Sequence, residues 1–364
     1  MGSDLEFLYG TLLDKGYQER FFADLTGLTK KEVGHIALCP FHEDTLPTFL
    51  IHGDRPSFFC FVCSAQGDWI QYGIKRWGVS FQGVLNTLIQ GAALEIHVRE
   101  REWREELLQS EILEAAQIFF HAGLWSRSGK AALSYLSQKG YTNEEIKGMR
   151  LGFFPGYSET IDYLRTRFEE CDLARIFTPL KDGLRDSFTI VIPYRDSAGR
   201  LMGIYGREAE DREGEDAYQP LTRMEHLRDI PFLMYKARGC TDMVVVDGFF
   251  DALLADQIGI KGVIGVGRSG LTTGYIDSVL RYGARRFFLS LSTAEATMAA
   301  MRLIKDRGFE VFVVQRPEKY NDTDAYIRDT CIKKFGKLVE TAVPADRWLD
   351  KITNPSSPLR HQEG

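Results

Sequence analysis

The hydrophobic positions change period along this chain. Trp103, Leu107, Leu108, Ile112, Leu113, Ala116 and Phe119 recur at three- and four-residue steps, the spacing of one face of a helix. The charged run 99–106 lies just before that helix or on its outer face and reads as solvated helix surface. Shorter helical patterns over 131–141 and 142–149 lead into Leu151-Gly-Phe-Phe-Pro155. Apolar runs at 190–193 and 203–205, joined by a Ser197-Ala-Gly199 turn, predict a β-hairpin. From Thr241 the pattern alternates. Strands are predicted at 243–246, 262–266, 286–291 and 310–314, with helices at 249–257, 273–282 and 293–307 between them. Strand-helix-strand repetition predicts a parallel sheet covered by helices, whose ligands sit beyond the carboxyl ends of the strands.

The first 85 residues carry a different signal. Cys39-Pro-Phe-His42 and Cys60-Phe-Val-Cys63 are two pairs of metal ligands, each spaced i and i+3, with seventeen residues between them. One such pair holds one side of a tetrahedral Zn²⁺ and the second closes it from across a short hairpin. Pro47-Thr48-Phe49 leads into a polar turn at Gly53-Asp54, and Ser57-Phe-Phe59 runs into Cys60, which predicts that the two pairs sit on neighbouring strand ends. Buried cysteine is common for packing alone, but two pairs beside aromatic residues favour zinc. Four protein ligands fill a tetrahedron, so the site reads as structural.

Composition narrows the class. The 364 residues are enough for two or three domains, and 44% hydrophobic residues is ordinary for a globular chain. Of six cysteines, three join His42 and leave Cys171, Cys240 and Cys331 unpaired, which fits a reducing cytoplasm better than a secreted scaffold. The start shows no signal peptide, and no apolar run approaches the roughly 20 residues of a membrane helix. The net charge is −6, and residues 1–80 hold 7 Lys/Arg against 10 Asp/Glu. Strong nonspecific nucleic-acid binding rests on clustered cations, so any such contact is expected to be weak, local or helped by partners. Phe58, Phe61 and Trp69 are candidates to stack on bases, or else to pack around the zinc site.

Cys39-Pro-Phe-His42, Pro47-Thr-Phe49, Phe59-Cys-Phe-Val-Cys63 and Gly67-Asp68 together resemble the CHC2-type zinc-binding module of bacterial DnaG-type primases. In that family the module contacts single-stranded template. Tyr135-Leu136, Lys139-Gly-Tyr141 and Leu151-Gly-Phe153 resemble the entry to the family's polymerase domain, and the hairpin ending in Gly206-Arg207 has its counterpart there. The resemblance gives Arg207 a place near template or nucleotide. The alternating block from Thr241 resembles a Toprim domain. The likeness runs from about residue 5 to 345 and is weaker after Gly265.

Asp247 follows the first strand of that block, Asp251 lies four residues on, and Asp322 and Asp324 follow the last strand. Carboxylates meeting at strand ends suit Mg²⁺ or Mn²⁺, which take oxygen ligands and support nucleotidyl transfer. The resemblance places Asp247 where Toprim has a glutamate and matches Asp322 and Asp324 to the family's later acidic pair. After the third strand the family places two aspartates separated by one residue. This chain reads Leu289-Ser290-Leu291-Ser292-Thr293-Ala294-Glu295, with hydroxyls instead and Glu295 the nearest acid. Thr189 stands where an arginine is expected, and no lysine lies near Ala217-Tyr218, although Lys236 and Arg238 are at hand to bind phosphate.

Gly265-Val-Gly267-Arg-Ser-Gly270 fits G-x-G-x-x-G after a strand, but a dinucleotide site also needs an acid about 20 residues on. That position ends in Ser290-Leu291, so the run reads as a turn.

The expected fold is multidomain α/β: a zinc ribbon (1–85), a helical connector (86–150), the first part of a primase-like core (151–240), a Toprim domain with a parallel sheet (241–348) and a short tail (349–364). The resemblance implies synthesis of short RNA primers on single-stranded DNA from NTPs, with structural zinc and catalytic Mg²⁺ or Mn²⁺. Asp247, Asp251, Asp322 and Asp324 would be the catalytic set. A degenerate member that binds single-stranded DNA, or docks on a replication or defence complex, is the alternative; nucleolytic phosphotransfer is a third. The Pro355/Pro358 tail reads as disordered linker, and the family's helicase-docking domain is expected to be absent or truncated, as in phage, plasmid or accessory proteins. The expected location is cytoplasmic, with no membrane partner.

Overall fold

The computed structural model describes residues 4–96, 99–181, 189–209, 218–224, 229–267, 270–317, 319–320, 322–330 and 332–353. They form two compact units, Met1–Ile230 and Pro231–Gly364.

The first unit begins with a helix, Asp4–Asp14, whose Leu5, Leu8, Tyr9 and Leu12 are buried. The spacing is one helical stripe. It packs beside Phe81–Ala92 against a five-stranded antiparallel sheet. The strands are β1 (Thr29–Lys31), β2 (Gly34–Ala37), β3 (Phe49–His52), β4 (Ser57–Cys60) and β5 (Gln66–Asp68), paired in sequence order. Asp68 then caps the Trp69–Trp77 helix: its carboxylate accepts from the Gln71 amide at 2.9 Å while the Gln71 side chain accepts from the Asp68 amide at 2.8 Å. This reciprocal pair satisfies two amides that would otherwise lack partners at the helix start.

The predicted connector is the Glu100–Leu124 helix, about 37 Å long at 1.5 Å per residue. Its two ends serve different cores. Trp103 and Leu107 join the aromatic core of the zinc module, whereas Ile112, Leu113, Ala116 and Phe120 join a second cluster with Phe154, Leu173 and Phe177. Over that second cluster lies an antiparallel sheet of β6 (Gly152–Phe153), β7 (Ile190–Arg195), β8 (Leu201–Arg207) and β9 (Tyr218–Pro220).

The predicted hairpin is β7–β8, and its turn has a second use. Ala198 is buried in the zinc-module core, and the Ser197 amide donates to Glu6 at 3.0 Å. Gly199 has φ +89°, and a Cβ there would lie 2.6 Å from Arg55 Cβ. Only glycine satisfies both demands. Arg200 is buried between Asp196, at 2.7 Å, and Glu106, at 3.0 Å.

The second unit contains the predicted parallel sheet: β10 (Asp242–Val246), β11 (Val263–Gly265), β12 (Arg286–Ser290) and β13 (Glu310–Val313), with β14 (Val343–Pro344) antiparallel at one edge. The order is β11–β10–β12–β13–β14. Met243, Val244, Val245 and Val246 are all buried, as a central strand covered on both faces requires. The predicted tail begins inside a helix, Ala345–Thr353, anchored by buried Trp348. Its Pro355/Pro358 portion lies outside the described residues, as do Cys331, Ala217 and the Arg268-Ser269 step of the glycine run.

Candidate metal centre and acidic site

The four zinc-ligand candidates converge. Their ligand atoms all lie within 4.8 Å of one another. Cys39 Sγ and Cys63 Sγ are 3.8 Å apart, as are Cys60 Sγ and His42 Nδ1. A tetrahedron with metal–sulfur bonds of about 2.3 Å has edges of about 3.8 Å, so the donor set fits Zn²⁺. The ligand pairs do not sit on neighbouring strands as the hairpin pattern suggested. Cys39 follows β2 and Cys60 ends β4, with β3 between them. Register brings them together, since Ala37 pairs with Phe49 and Phe49 with Cys60 in one row across the sheet.

Backbone amides support the sulfurs. Phe41 donates to Cys39 Sγ and Val62 to Cys60 Sγ, each at 3.4 Å. Thr48 Oγ1 lies 3.5 Å from Cys60 Sγ, and Asp44 accepts from both the Cys39 amide, at 3.0 Å, and the Thr48 hydroxyl. Asp44 and Thr48 orient the ligands without binding the metal, a role that ligand spacing does not reveal. Of the three aromatics considered for base stacking, Phe58 and Trp69 are buried in the core, while Phe61 is 63% exposed beside equally exposed Val62. Only Phe61 remains available for stacking.

In the second unit, the four acidic candidates lie just beyond β10 and at the start of the Thr323–Asp329 helix. They are close enough to repel one another. Burial, then the charges of Asp322, Asp324 and Asp247, push the Asp251 carboxyl up to about 7. Burial likewise raises Asp247, partly offset by Ser292 and Arg316. Each carboxylate nevertheless has a protein partner. Asp251 accepts from the Gly248 amide at 2.9 Å and the Asp324 amide at 2.7 Å, so it caps one helix and ties down the start of another. Asp322 caps the Thr323–Asp329 helix by accepting from the Ala325 amide at 2.7 Å, and Asp324 pairs with Arg328.

The hydroxyls that replace the expected aspartates are also engaged. Ser292 donates to Asp247 at 2.6 Å, and Ser290 Oγ lies 2.9 Å from buried Thr323 Oγ1. Neither partnership could be read from positions 45 and 33 residues apart. Glu295 is exposed in the first turn of the Ala294–Lys305 helix. Among the described residues, the Cys/His set is the one group of three or more such side chains whose ligand atoms gather within 4.8 Å. The carboxylates share a neighbourhood without forming a comparably tight cluster.

The two basic candidates are held by neighbours. Arg207 donates to Tyr135 Oη at 2.6 Å and Tyr218 Oη at 3.2 Å, and lies over both rings at 5.1 and 5.6 Å. Lys236 forms an ion pair with Asp256. In the glycine run, Gly267 and Gly270 have φ of +62° and +63°, consistent with a turn.

Comparison with known proteins agrees with this anatomy. Residues 19–104 match the CHC2 zinc finger family. DNA primase of Staphylococcus epidermidis is 26% identical over 337 residues, which is 86% of this chain and 56% of that protein. DNA primase of Staphylococcus aureus is 26% identical over 324 residues, 82% of this chain and 53% of its own length. The chain thus spans about half the length of these curated relatives. The crystal structure of the zinc-binding and RNA polymerase domains of Aquifex aeolicus primase superposes with a TM-score of 0.65 at 22% identity, covering 98% of this chain and 89% of that one. The RNA polymerase domain of Mycobacterium tuberculosis primase DnaG, in complex with double-stranded DNA, gives 0.59 at 19% identity over 70% of this chain and 87% of that one. A DnaG primase catalytic domain bound to single-stranded DNA gives 0.53 at 17% identity, over 70% and 88%. Ligand geometry, sheet topology and sequence similarity therefore converge on one family: residues 19–104 form a CHC2 zinc ribbon, and the chain resembles the bacterial DnaG-type DNA primases.

Proposed function

We propose that this chain is a DnaG-like primase that makes short RNA primers on single-stranded DNA from NTPs. The observation that carries this reading is the convergence of Asp247, Asp322 and Asp324 on Asp251 beyond the carboxyl end of β10 in a parallel sheet, where ligands of such folds bind. Four oxygen-donor side chains whose charges repel one another suit a divalent cation. Asp247 and Asp322 would hold Mg²⁺ or Mn²⁺, with Asp324 available once it leaves Arg328. When bound, the ion would neutralise phosphate charge and lower the pKa of a coordinated hydroxyl. Asp251 positions the others, because its two oxygens fix the Gly248 and Asp324 backbones. Ser292 orients the Asp247 carboxylate. Phe61 presents an apolar face that suits template bases, and the zinc ribbon holds it there.

A second reading draws on Ser290 and Ser292, whose hydroxyls stand where the family has aspartates and carry no charge. Under it the chain binds single-stranded DNA or a replication or defence partner and synthesises nothing. Primer synthesis on mixed-sequence single-stranded DNA, with labelled NTPs and Mg²⁺ or Mn²⁺, separates the two. Template-dependent products that vanish in Asp247→Asn support the primase. No product with either metal, from protein that retains zinc and binds template, supports the second. No helix among the described residues is long and apolar enough to cross a membrane, and the proposed location is the cytoplasm.

A further inference from the structure

A cavity of about 390 Å³ lies within the first unit, walled by β3 to β5 on one side and by the Glu100–Leu124 helix on the other. Its size falls at the lower end of small-molecule sites. The acidic residues that line it already have partners. Glu114 pairs with Arg195, Glu111 accepts from Gln71, and Asp68 serves as a helix cap.

The cationic side is not balanced. Arg55 and Arg195 have Asp54 and Glu114 as counterions. Neither of those two arginines lines the cavity; Arg150 does, and among the described residues its guanidinium makes no hydrogen bond or ion pair. Burial and then the charges of Arg55 and Arg195 push Arg150 down to about 9, outweighing the opposing pull of Glu114 and Asp54, neither of which it bonds. Its backbone has φ +53°, a conformation uncommon outside glycine, and its carbonyl is held by the Gln117 side chain at 2.6 Å. Strain of this kind persists where surrounding structure imposes it.

The remaining lining is apolar with unused polar atoms. Leu50, Phe59 and Ile118 supply flat and aliphatic surface. Among the described residues, Gln66, 6% exposed, has no partner for either amide atom, and neither Gln117 Oε1 nor Ser57 Oγ has one. His121 Nδ1 is committed to the Leu151 carbonyl at 2.7 Å, which leaves Nε2 as an acceptor in the neutral ring. We infer that this cavity binds a nucleoside monophosphate, with its phosphate on Arg150 and its base against the apolar wall within reach of Gln66 and Gln117. Arg150, with Lys147 also in the lining, suits one phosphate, while Asp68, Glu111 and Glu114 would repel the added charge of a triphosphate, so this ligand differs from the NTPs proposed as substrates.

The test titrates the full zinc-loaded chain with AMP, GMP, CMP and UMP, each beside its nucleoside and its triphosphate, and with inorganic phosphate, by calorimetry. At least one monophosphate should bind more tightly than its triphosphate, its nucleoside or phosphate alone. Arg150→Gln and Ser110→Phe, the latter filling the cavity from the helix, should each weaken that binding at least tenfold. Asp247→Asn, in the other unit, should leave it unchanged. Zinc content and melting temperature report whether each variant is folded. Absence of binding by every monophosphate at millimolar concentration would overturn the proposal, as would affinity unmoved by either cavity variant in a folded chain. Loss of monophosphate binding in Asp247→Asn instead would assign it to the acidic site and also overturn the proposal.

Discussion

Asp251 is expected to act as a tie between two helix starts, and its removal should have a local, measurable effect. One oxygen accepts from the Gly248 amide at 2.9 Å and the other from the Asp324 amide at 2.7 Å. In Asp251→Ala the first amide loses a helix cap, worth about 1 kcal/mol. The second becomes an unpaired buried donor, at a cost of about 1–3 kcal/mol. Asp251→Asn keeps one acceptor oxygen and turns an amide group toward the other donor, so one of the two bonds should survive. Hydrogen exchange followed by mass spectrometry reads both sites. Gly248 exchange should accelerate about fivefold and Asp324 exchange about five- to a hundredfold in the alanine variant, at about 1.4 kcal/mol per tenfold. The asparagine variant should affect one site more than the other. Unchanged exchange at both amides in Asp251→Ala would refute the tie. The pH dependence has a definite sign. Burial and neighbouring carboxylates raise Asp251 to about 7 in the folded chain, against about 3.9 unfolded. Folding therefore favours the protonated form, and this group's contribution should decline from about pH 4 to about pH 7 and level off above that. Mg²⁺ should reverse the decline if the acidic site binds it.

Cys60→Ser should release zinc, measured by elemental analysis, and loosen the ribbon, because Cys60 is buried in the same core as Phe49 and Phe58. Burial, with Asp196 adding to it, raises Glu6 to about 7, so its contribution also falls as pH rises from about 4.5 to about 7. Glu6→Gln should flatten that part of the unfolding profile of the first unit, and an unaltered profile would count against a raised Glu6. Ser292→Asp adds a carboxylate beside Asp247 and should strengthen Mn²⁺ binding at least tenfold by calorimetry. Unchanged affinity would show that the Ser292 position does not face the metal.

Much of this anatomy is written in local pattern. Ligand spacing alone selects Cys39, His42, Cys60 and Cys63, because a tetrahedral ion imposes short-range constraints on the chain. Period alone predicts a helix through Trp103 to Phe119, within the observed Glu100–Leu124, and the alternation that becomes β10 to β13, because burial of one stripe or both faces leaves a repeating mark. The charges at Asp247, Asp251, Asp322 and Asp324 are visible in sequence, but their jobs are not. Tertiary structure alone makes Asp251 a backbone tie, Ser292 a partner of Asp247, Arg207 the filling between Tyr135 and Tyr218, and Phe61 exposed while Phe58 is buried. It alone places Arg150 in a cavity with no hydrogen bond or ion pair to its guanidinium among the described residues. Periodicity records which side of an element faces a core; which atoms meet at sequence separations of 33 to 191 is set by how the elements pack.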